Sequence, residues 1–311
     1  MEIKLIYERE QGRVYLISED NKRHWIPSLE VANSYGLDLG KAVACSIGEV
    51  MSLPLSFTIA KNSGLEELKQ ELPLSKKTHS GEGRIIMSWG RHWFGSQFRG
   101  HGLEMSAASV PWPCHMECIV DYSDPFEDDK GAKAGYENHD FVPLDHKASL
   151  EDMSCILKTD YDFIVCSHVI EHTPRVMLAL KNVYEHLAKG GMFVMAVPHM
   201  DHTFDRLREL TPLSHHISDF KAYERKEDLI HIVDYLENSC IKYSGKNVDV
   251  EQCCREFLAG SNELDIHYHT FTEDSFAEII EWFCENVYQW SRYEIFQRNE
   301  GGMEFFVRLV K

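Results

Sequence analysis

The 311-residue sequence contains 50 acidic residues against 32 lysines and arginines, so its formal net charge is −18 at pH 7 before the 17 histidines are counted. Such a negative surface repels phosphate backbones, which argues against nucleic acid as a partner, and no run of 18 apolar residues predicts insertion into a membrane. The 43% of hydrophobic residues suffices to build a core, and nine scattered cysteines, an odd number, predict reduced thiols in a cytoplasmic protein.

Residues 1–60 predict a small β-containing accessory module. Residues 13–18 alternate in polarity, Asp20-Asn21 is a turn signal, and residues 23–26 supply a return strand, which together predict a hairpin. A short helix follows over 29–35. Residues 61–82 are rich in Lys, Glu, Ser and Gly, and predict a linker with an exposed helix over 65–72.

From residue 83 to residue 311 the sequence predicts a second domain in which strands alternate with helices. The strands are expected at 103–107, 118–122, 140–144, 161–167 and 192–197. A helix over 174–188 lies between the last two, and Gly190-Gly191 is expected to end it. This alternation predicts an α/β fold with a mainly parallel sheet and helices on both faces, whose ligands bind outside the carboxyl ends of the strands. A helical insertion is expected at about 220–262 and a final antiparallel hairpin at 290–296 and 303–309.

Two segments resemble a known protein family. Tyr161-Asp-Phe-Ile-Val-Cys-Ser-His-Val-Ile-Glu-His172 and Leu187-Ala-Lys-Gly-Gly-Met-Phe-Val-Met-Ala-Val-Pro198 are similar to the fourth-strand and fifth-strand signatures of class I S-adenosylmethionine-dependent methyltransferases. The resemblance covers residues 100–220, with a looser match at 265–311. It implies a Rossmann-like fold, S-adenosylmethionine as cofactor and methyl transfer as the reaction. The sub-group it most resembles, bacterial methyltransferase-like proteins linked to glycan and surface-polysaccharide pathways, implies a sugar or glycan oxygen as the acceptor.

The resemblance also implies a cofactor loop. Residues 102–111 match the family's first strand and the loop after it, with Glu104 beneath the loop. Ser106 and Ala108 stand where the family usually has glycines, which permit positive φ and close approach of a ligand. Serine and alanine are small but restrict φ. The alternative is therefore a non-catalytic binding or scaffold protein that keeps the fold with a degenerate loop.

Four further residues are implied to bind the cofactor. Asp121 ends the second strand and is expected to bind the ribose hydroxyls, and Asp145 follows the third strand and is expected to bind the adenine amine. Ser167 and His168, at the end of the fourth strand, are expected beside the methionine part.

The segment after the fifth strand is expected to face the methyl group. Its Phe-Asp-x-x-Arg-x-x-Thr-x-x-x-His pattern over 204–215 is typical of the same sub-group. Methyl transfer to a hydroxyl needs a group that accepts the proton, and histidine suits that role at neutral pH. We predict His199 or His215 as the base, Arg208 as a carboxylate or phosphate clamp, and Asp205 as its orienting partner. The alternative is an ion pair between Asp205 and Arg208 that only fixes the loop.

A divalent metal is a further alternative, which the sequence does not favour. His267 and His269 alternate along a predicted strand over 265–272, and two such histidines can bind a metal that acidifies a hydroxyl. The other members of such a site would be His199, Asp201 and His215. A buried polar pair without metal is the preferred interpretation, so no metal ligand is assigned. The expected partner is a small-molecule or glycan substrate, and the sequence does not indicate an oligomeric state.

Overall fold

The computed structural model describes residues 4–62, 90–126, 141–222, 224, 228–260, 265–297 and 302–311. The helix predicted over 65–72 and most of the predicted linker lie outside these ranges. No helix within them is long and apolar enough to cross a lipid bilayer.

The N-terminal region forms a four-stranded sheet in the order β3-β2-β1-β4. Its strands are β1 (Lys4–Glu8), β2 (Val14–Ile17), β3 (Arg23–Ile26) and β4 (Val43–Cys45). The predicted hairpin is confirmed, because β2 and β3 pair antiparallel and Asn21 takes a positive φ of 61° in the turn between them. Two short helices, α1 (Leu29–Ser34) and α2 (Ile47–Met51), follow β3 and β4; a serine hydroxyl caps the first turn of each.

The remaining strands form a six-stranded sheet in the order β6-β5-β7-β8-β10-β9. They are β5 (His101–Met105), β6 (Ile119–Ser123), β7 (Tyr161–Ser167), β8 (Leu187–Pro198), β9 (Arg292–Phe296) and β10 (Glu304–Val310). β5 and β6 are parallel, whereas β10 pairs antiparallel with both β8 and β9. Four consecutive residues of β7, from Phe163 to Cys166, are fully buried, so both faces of this strand are covered. The predicted Rossmann-like α/β class and the final hairpin are confirmed.

Five longer helices are described from residue 176 onwards. They are α3 (Val176–His186), α4 (Leu213–Ala222), α5 (Asp228–Asp234), α6 (Val250–Leu258) and α7 (Glu273–Asn286). α5 continues directly into a π-helical stretch, Tyr235–Tyr243. A compact apolar cluster, which includes Ile232, Leu236 and Phe257, packs this stretch against α5 and α6. The described part of the segment expected to be a helical insertion is therefore helical, and its apolar cluster also includes Ile266, which lies beyond the segment.

Three predictions about local structure are wrong. Residues 141–144 form no strand, and only His146 makes a single bridge, to Ser123 of β6; Pro143 has no N–H to donate to a ladder. Gly190-Gly191 does not end α3, because Leu187 already takes the extended backbone that begins β8, and Gly190 lies inside that strand at φ 81°. Residues 265–270 form no strand either, for a reason given below.

The described chain divides into two compact units, and each is treated by itself. Among the described residues, the first unit contains 4–62, 90–126, 141–149 and 161–165, and the second contains 150–160 and those from 166 onwards. The predicted domain limit at residue 60 lies just before the range 63–89, which is not described, and the limit at residue 83 lies within it, so both stay predictions.

Candidate functional site

In the first unit, the loop after β5 has the backbone shape of a glycine-rich loop without containing a glycine. Ser106 and Ala108 have φ values of 56° and 50°, both in the left-handed region. This conformation costs a non-glycine residue about 1–2 kcal/mol, so neighbouring contacts must hold it. The Ser106 N–H donates to the Ser123 carbonyl at 2.7 Å, and the Ala108 carbonyl accepts the Val142 N–H at 3.1 Å. Both residues therefore adopt the conformation for which glycine was expected.

Glu104 lies beneath this loop, as the sequence predicts. Its buried carboxyl group accepts the Trp112 N–H, which is 2.9 Å from each of the two oxygens. Burial raises the pKa of Glu104 to about 8, although this hydrogen bond and Arg91 oppose the shift. The side chain is therefore largely uncharged at neutral pH, and it fixes the far end of the loop to β5.

Asp121 is surrounded by side chains of its own unit. The Tyr161 hydroxyl donates to Oδ2 at 2.7 Å, and Nε2 of His101 lies 2.9 Å from Oδ1. His146 lies 3.8 Å from Oδ2. Burial favours a higher pKa of Asp121, but the contacts with His101 and Tyr161 outweigh it and hold the pKa below its ordinary value. Asp121 is thus an ionised acid with protein partners on both oxygens, and its role as ribose ligand stays a prediction.

Asp145 is fixed to β6 by two hydrogen bonds with the same residue. Its Oδ2 accepts the Tyr122 N–H at 2.9 Å, and its own N–H donates to the Tyr122 carbonyl at 2.9 Å. The acid therefore reaches the edge of β6 although the described residues before it, 141–144, form no strand. Its contact with an adenine amine stays a prediction.

In the second unit, the carboxyl end of β7 carries Ser167 followed by His168, which has a positive φ of 54°. The His168 ring lies between two buried glutamates: Nε2 is 2.6 Å from Glu304, and Nδ1 is 3.5 Å from Glu171. Glu304 begins β10 opposite Pro198, at the carboxyl end of β8. The unit thus gathers a half-buried histidine and two carboxyl groups where two neighbouring strands end, an arrangement that can hold or pass a proton.

His199 follows β8 directly and is oriented by two partners. Its Nδ1 accepts the Asp201 N–H at 3.2 Å, so Nε2 carries the proton and faces Oε2 of Glu273 at 3.1 Å. A carboxylate behind an imidazole fixes its tautomer and stabilises its protonated form.

Asp205 and Arg208 pair with each other inside a network that is buried except at the half-exposed Asp234. We call it the Arg208 network: Asp205, Arg208, Asp234 and His267. The guanidinium donates to Asp205 at 3.0 Å and to Asp234 at 2.6 Å. It also donates to the backbone carbonyls of His267 at 2.8 Å and Tyr268 at 3.1 Å. These carbonyls bond to a side chain, which is why residues 265–270 do not join a strand ladder. The geometry is that of the loop-fixing ion pair, and the role of Arg208 as a substrate clamp stays a prediction.

Within this network the carboxylate of Asp205 also contacts the His267 ring, with Nδ1 2.5 Å from Oδ2. Burial would raise the pKa of Asp205, but the His267 hydrogen bond and the Arg208 charge outweigh it and hold the pKa below its ordinary value. His267 reaches towards Glu171 with its other nitrogen, at 3.9 Å.

Four other side chains form what we call the His215 cluster: His215, Asp219, His231 and His269. Nε2 of His215 lies 3.1 Å from Nε2 of His231 and 3.3 Å from Oδ2 of Asp219. Nε2 of His269 lies 3.2 Å from the same Asp219 oxygen. Burial lowers the pKa of His231 to about 4, lowers that of His269 well below its ordinary value, and raises that of Asp219.

The structure thus separates the histidines that the sequence suggested for a metal. It brings His215 and His269 together, places His267 in the Arg208 network, and pairs His199 with Glu273. Sequence reasoning missed Asp219 and His231. Asp219 had a local signal, since it lies four residues after His215 on one helix face, but His231 had none.

The comparisons with known proteins complete the description of the site. Residues 86–244, just over half of the chain, match a family profile described as "Methyltransferase domain". No curated protein matches the sequence. A solved S-adenosylmethionine-dependent methyltransferase from Thermotoga maritima, described as a possible histamine N-methyltransferase, is 12% identical over 74% of this chain and 97% of that chain, with a TM-score of 0.36. An S-adenosylmethionine-dependent methyltransferase from Mesorhizobium loti is 12% identical over 74% and 99%, with a TM-score of 0.40.

Proposed function

Because the chain belongs to the methyltransferase domain family, we propose that it transfers a methyl group from S-adenosylmethionine to a hydroxyl oxygen of a sugar or glycan intermediate. Membership of the family makes the protein a methyltransferase and implies S-adenosylmethionine as the donor. The bound cofactor supplies an electrophilic methyl group. The protein has to hold the acceptor oxygen about 3 Å from that methyl and to accept the hydroxyl proton.

The observation that carries the cofactor assignment is the left-handed backbone at Ser106 and Ala108. A loop with this shape turns its backbone towards a ligand and leaves no large side chain in the way. Glu104 supports it from below through Trp112. We assign the loop to the methionine and ribose parts of the cofactor, Asp121 to the ribose hydroxyls and Asp145 to the adenine amine.

In the second unit, we assign Ser167 and His168 to the methionine part, because they end β7 on the side where sheets of this class bind ligands. His199 is the stronger candidate for the base. It follows β8 at the same side of the sheet. To act as the base, Nδ1 has to give up its hydrogen bond from the Asp201 N–H and take the proton of the acceptor hydroxyl. Glu273, which faces Nε2, then stabilises the imidazolium. His215 is the second candidate, with Asp205 and Arg208 fixing the segment that leads to it.

A cavity in the first unit supports a sugar as acceptor. It measures about 310 Å³, and its lining includes the aromatic rings of Tyr15 and Trp25 and the guanidinium groups of Arg13 and Arg23. Ser109, which directly follows Ala108 in the loop after β5, also lines this cavity. Aromatic faces pack against the apolar side of a sugar ring, and arginine donors bind hydroxyl, carboxylate or phosphate oxygens.

Calorimetric titration with S-adenosylmethionine tests the cofactor assignment. The wild type should bind it, Ala108→Gly should bind at least as tightly, and Ala108→Val should bind about tenfold or more weakly, because a β-branched residue resists positive φ. Thermal unfolding of both variants controls for loss of fold. Absence of binding to the wild type at millimolar ligand would favour the non-catalytic scaffold and overturn the proposal.

The acceptor is tested with radiolabelled methyl transfer to saccharides that carry free hydroxyls, with and without a carboxylate or phosphate. Trp25→Ala should raise KM for the acceptor and leave the affinity for S-adenosylmethionine unchanged, since the cavity is assigned to the acceptor alone. Transfer only to amines or to carbon, with no saccharide methylated, would contradict the sugar assignment while leaving the methyltransferase assignment intact.

A further inference from the structure

The His215 cluster brings four potential metal-ligand atoms close together in the second unit. All four lie within 4.8 Å of one another: three imidazole nitrogens and one carboxylate oxygen. We propose that His215, Asp219, His231 and His269 form a binding site for one divalent transition-metal ion, with Zn²⁺ as the preferred metal. The proposal does not depend on methyl transfer; an ion bound to Nε2 of His215 leaves His199 as the base of the proposed reaction.

The spacing of the ligand atoms fits a tetrahedral ion. Zinc binds imidazole nitrogen and carboxylate oxygen at about 2.0–2.2 Å, so the ligand atoms of a tetrahedral site lie about 3.3 Å from one another. Three of the six separations in the cluster are 3.1, 3.2 and 3.3 Å, and all six are within 4.8 Å. A hydrogen bond explains one such contact at a time, whereas a central ion explains the convergence of all four atoms.

The fold holds the ligands in place without help from the metal. His215 and Asp219 lie one turn apart on α4, so their side chains share one face. His231 lies on α5 beside Ile232, which belongs to the apolar cluster that packs this helix. His269 is positioned by the next residue, because Thr270 exchanges hydrogen bonds of 3.0 and 3.1 Å with Thr211.

The charges of the cluster favour a cation at its centre. Among the described residues, no lysine or arginine lies within ion-pair distance of the Asp219 carboxylate, whose contacts are the rings of His215 and His269. Nε2 of His231 faces the cluster, 3.1 Å from Nε2 of His215, and is the ligand atom. A dication bound there would neutralise the buried carboxylate and use the imidazole lone pairs that face it.

The ligand types select the metal class. Imidazole suits zinc, iron, nickel and copper, and four-coordinate sites of nitrogen and oxygen ligands are typical of zinc, whereas the absence of a thiolate from these four ligands disfavours softer ions. The side chain of His215 is 31% exposed, against 6% for Asp219 and 0% for His269. The cluster is therefore open on the His215 side, which gives an ion a path of entry.

The full-length protein, freed of metal with a chelator, tests the proposal by titration with Zn²⁺ and Co²⁺. One ion per chain should bind, Co²⁺ should show the visible absorption of a tetrahedral site, and the melting temperature should rise with zinc concentration. Asp219→Asn, His231→Gln and His269→Gln should each weaken binding by about a hundredfold, since even outer-shell changes cost tenfold to a hundredfold. His186→Gln is the matched control, because this helical histidine bonds only backbone carbonyls and should bind zinc like the wild type.

Equal zinc affinity in the wild type and in the three ligand variants would place the ion elsewhere and overturn the proposal. So would a wild type that binds no ion at micromolar zinc. If the variants do not fold, X-ray absorption of the zinc-loaded wild type decides instead. Imidazole and oxygen neighbours would support the site, whereas sulfur neighbours would assign the ion to cysteines and refute it. Titration with S-adenosylmethionine in the chelated protein keeps this result separate from the test of the cofactor assignment.

Discussion

Asp205 and Asp219 are both buried carboxyl groups beside histidine rings in the second unit, yet their pKa values are shifted in opposite directions. Asp205 lies next to the guanidinium of Arg208, and its pKa is held below the ordinary value. Asp219 contacts only imidazoles among the described side chains, and burial raises its pKa. The difference lies in the partners: the hydrogen bond from His267 and the charge of Arg208 together outweigh the burial of Asp205, whereas Asp219 has imidazole partners alone and its burial prevails.

The two groups of side chains differ in whether their charges and polar atoms satisfy one another. The Arg208 network satisfies its carboxylates, its guanidinium and two backbone carbonyls with one another. The His215 cluster directs several lone pairs to one point and supplies no fixed charge to meet them. A bound dication would supply the positive charge in the His215 cluster, as Arg208 does in the Arg208 network.

The largest effect is expected from Arg208→Leu. Removing the guanidinium leaves the Asp205 carboxylate buried without its cation and leaves two backbone carbonyls without donors. The free energy of unfolding should fall by about 3–5 kcal/mol, as for other buried charge pairs that lose one partner. Urea denaturation measures the change.

Arg206→Leu is the matched control, because Arg206 is exposed and interacts mainly with the ring of Tyr243, 4.6 Å away. It should change the free energy of unfolding by less than about 1 kcal/mol. Equal losses in the two arginine variants would contradict the view that Arg208 completes a buried network.

The next largest effect is the difference in unfolding free energy between variants of the two acids, measured in protein that a chelator has freed of metal. Asp205→Asn removes a charged acceptor of hydrogen bonds from Arg208 and His267, and should lower the free energy of unfolding by about 2–3 kcal/mol. Asp219→Asn replaces a carboxyl group that has no cation partner among the described residues, and should cost less than about 1 kcal/mol. Added zinc should stabilise the wild type and not Asp219→Asn. Similar costs without metal would erase the distinction between the two acids.

The sequence predicts the β7–α3–β8 part of the fold well because its signals are local. Consecutive apolar residues from Phe163 to Cys166 indicate a strand covered on both faces, and the 3.6-residue period indicates α3. The errors arose where a local signal was outweighed. Gly190 resembles a helix cap, but it lies within β8, where its N–H donates a hydrogen bond to the Lys311 carbonyl.

The clusters could be predicted only in part because their members are far apart in the sequence. The pairing of Asp205 with Arg208 is predictable as an alternative, since the two residues lie three positions apart on one turn. Their contact with His267, 62 residues after Asp205, has no local signal. Likewise, the grouping of His231 with His215 depends on how α5 packs, which no spacing in the sequence expresses.

The smallest effect is a change of slope with pH. Because the folded-state pKa of Asp205 lies below its unfolded value, the ionised carboxylate stabilises the protein above the unfolded pKa, and this contribution is lost as pH falls through the folded pKa. The stability difference between the wild type and Asp205→Asn should therefore stay constant near pH 7 and shrink to less than about 1 kcal/mol in acid, once both side chains are uncharged. Urea denaturation of both proteins from pH 7 down to the lowest pH at which they fold measures the two slopes. Parallel slopes over that range would mean that Arg208 and His267 do not hold the pKa of Asp205 down, and the contrast with Asp219 would then rest on geometry alone.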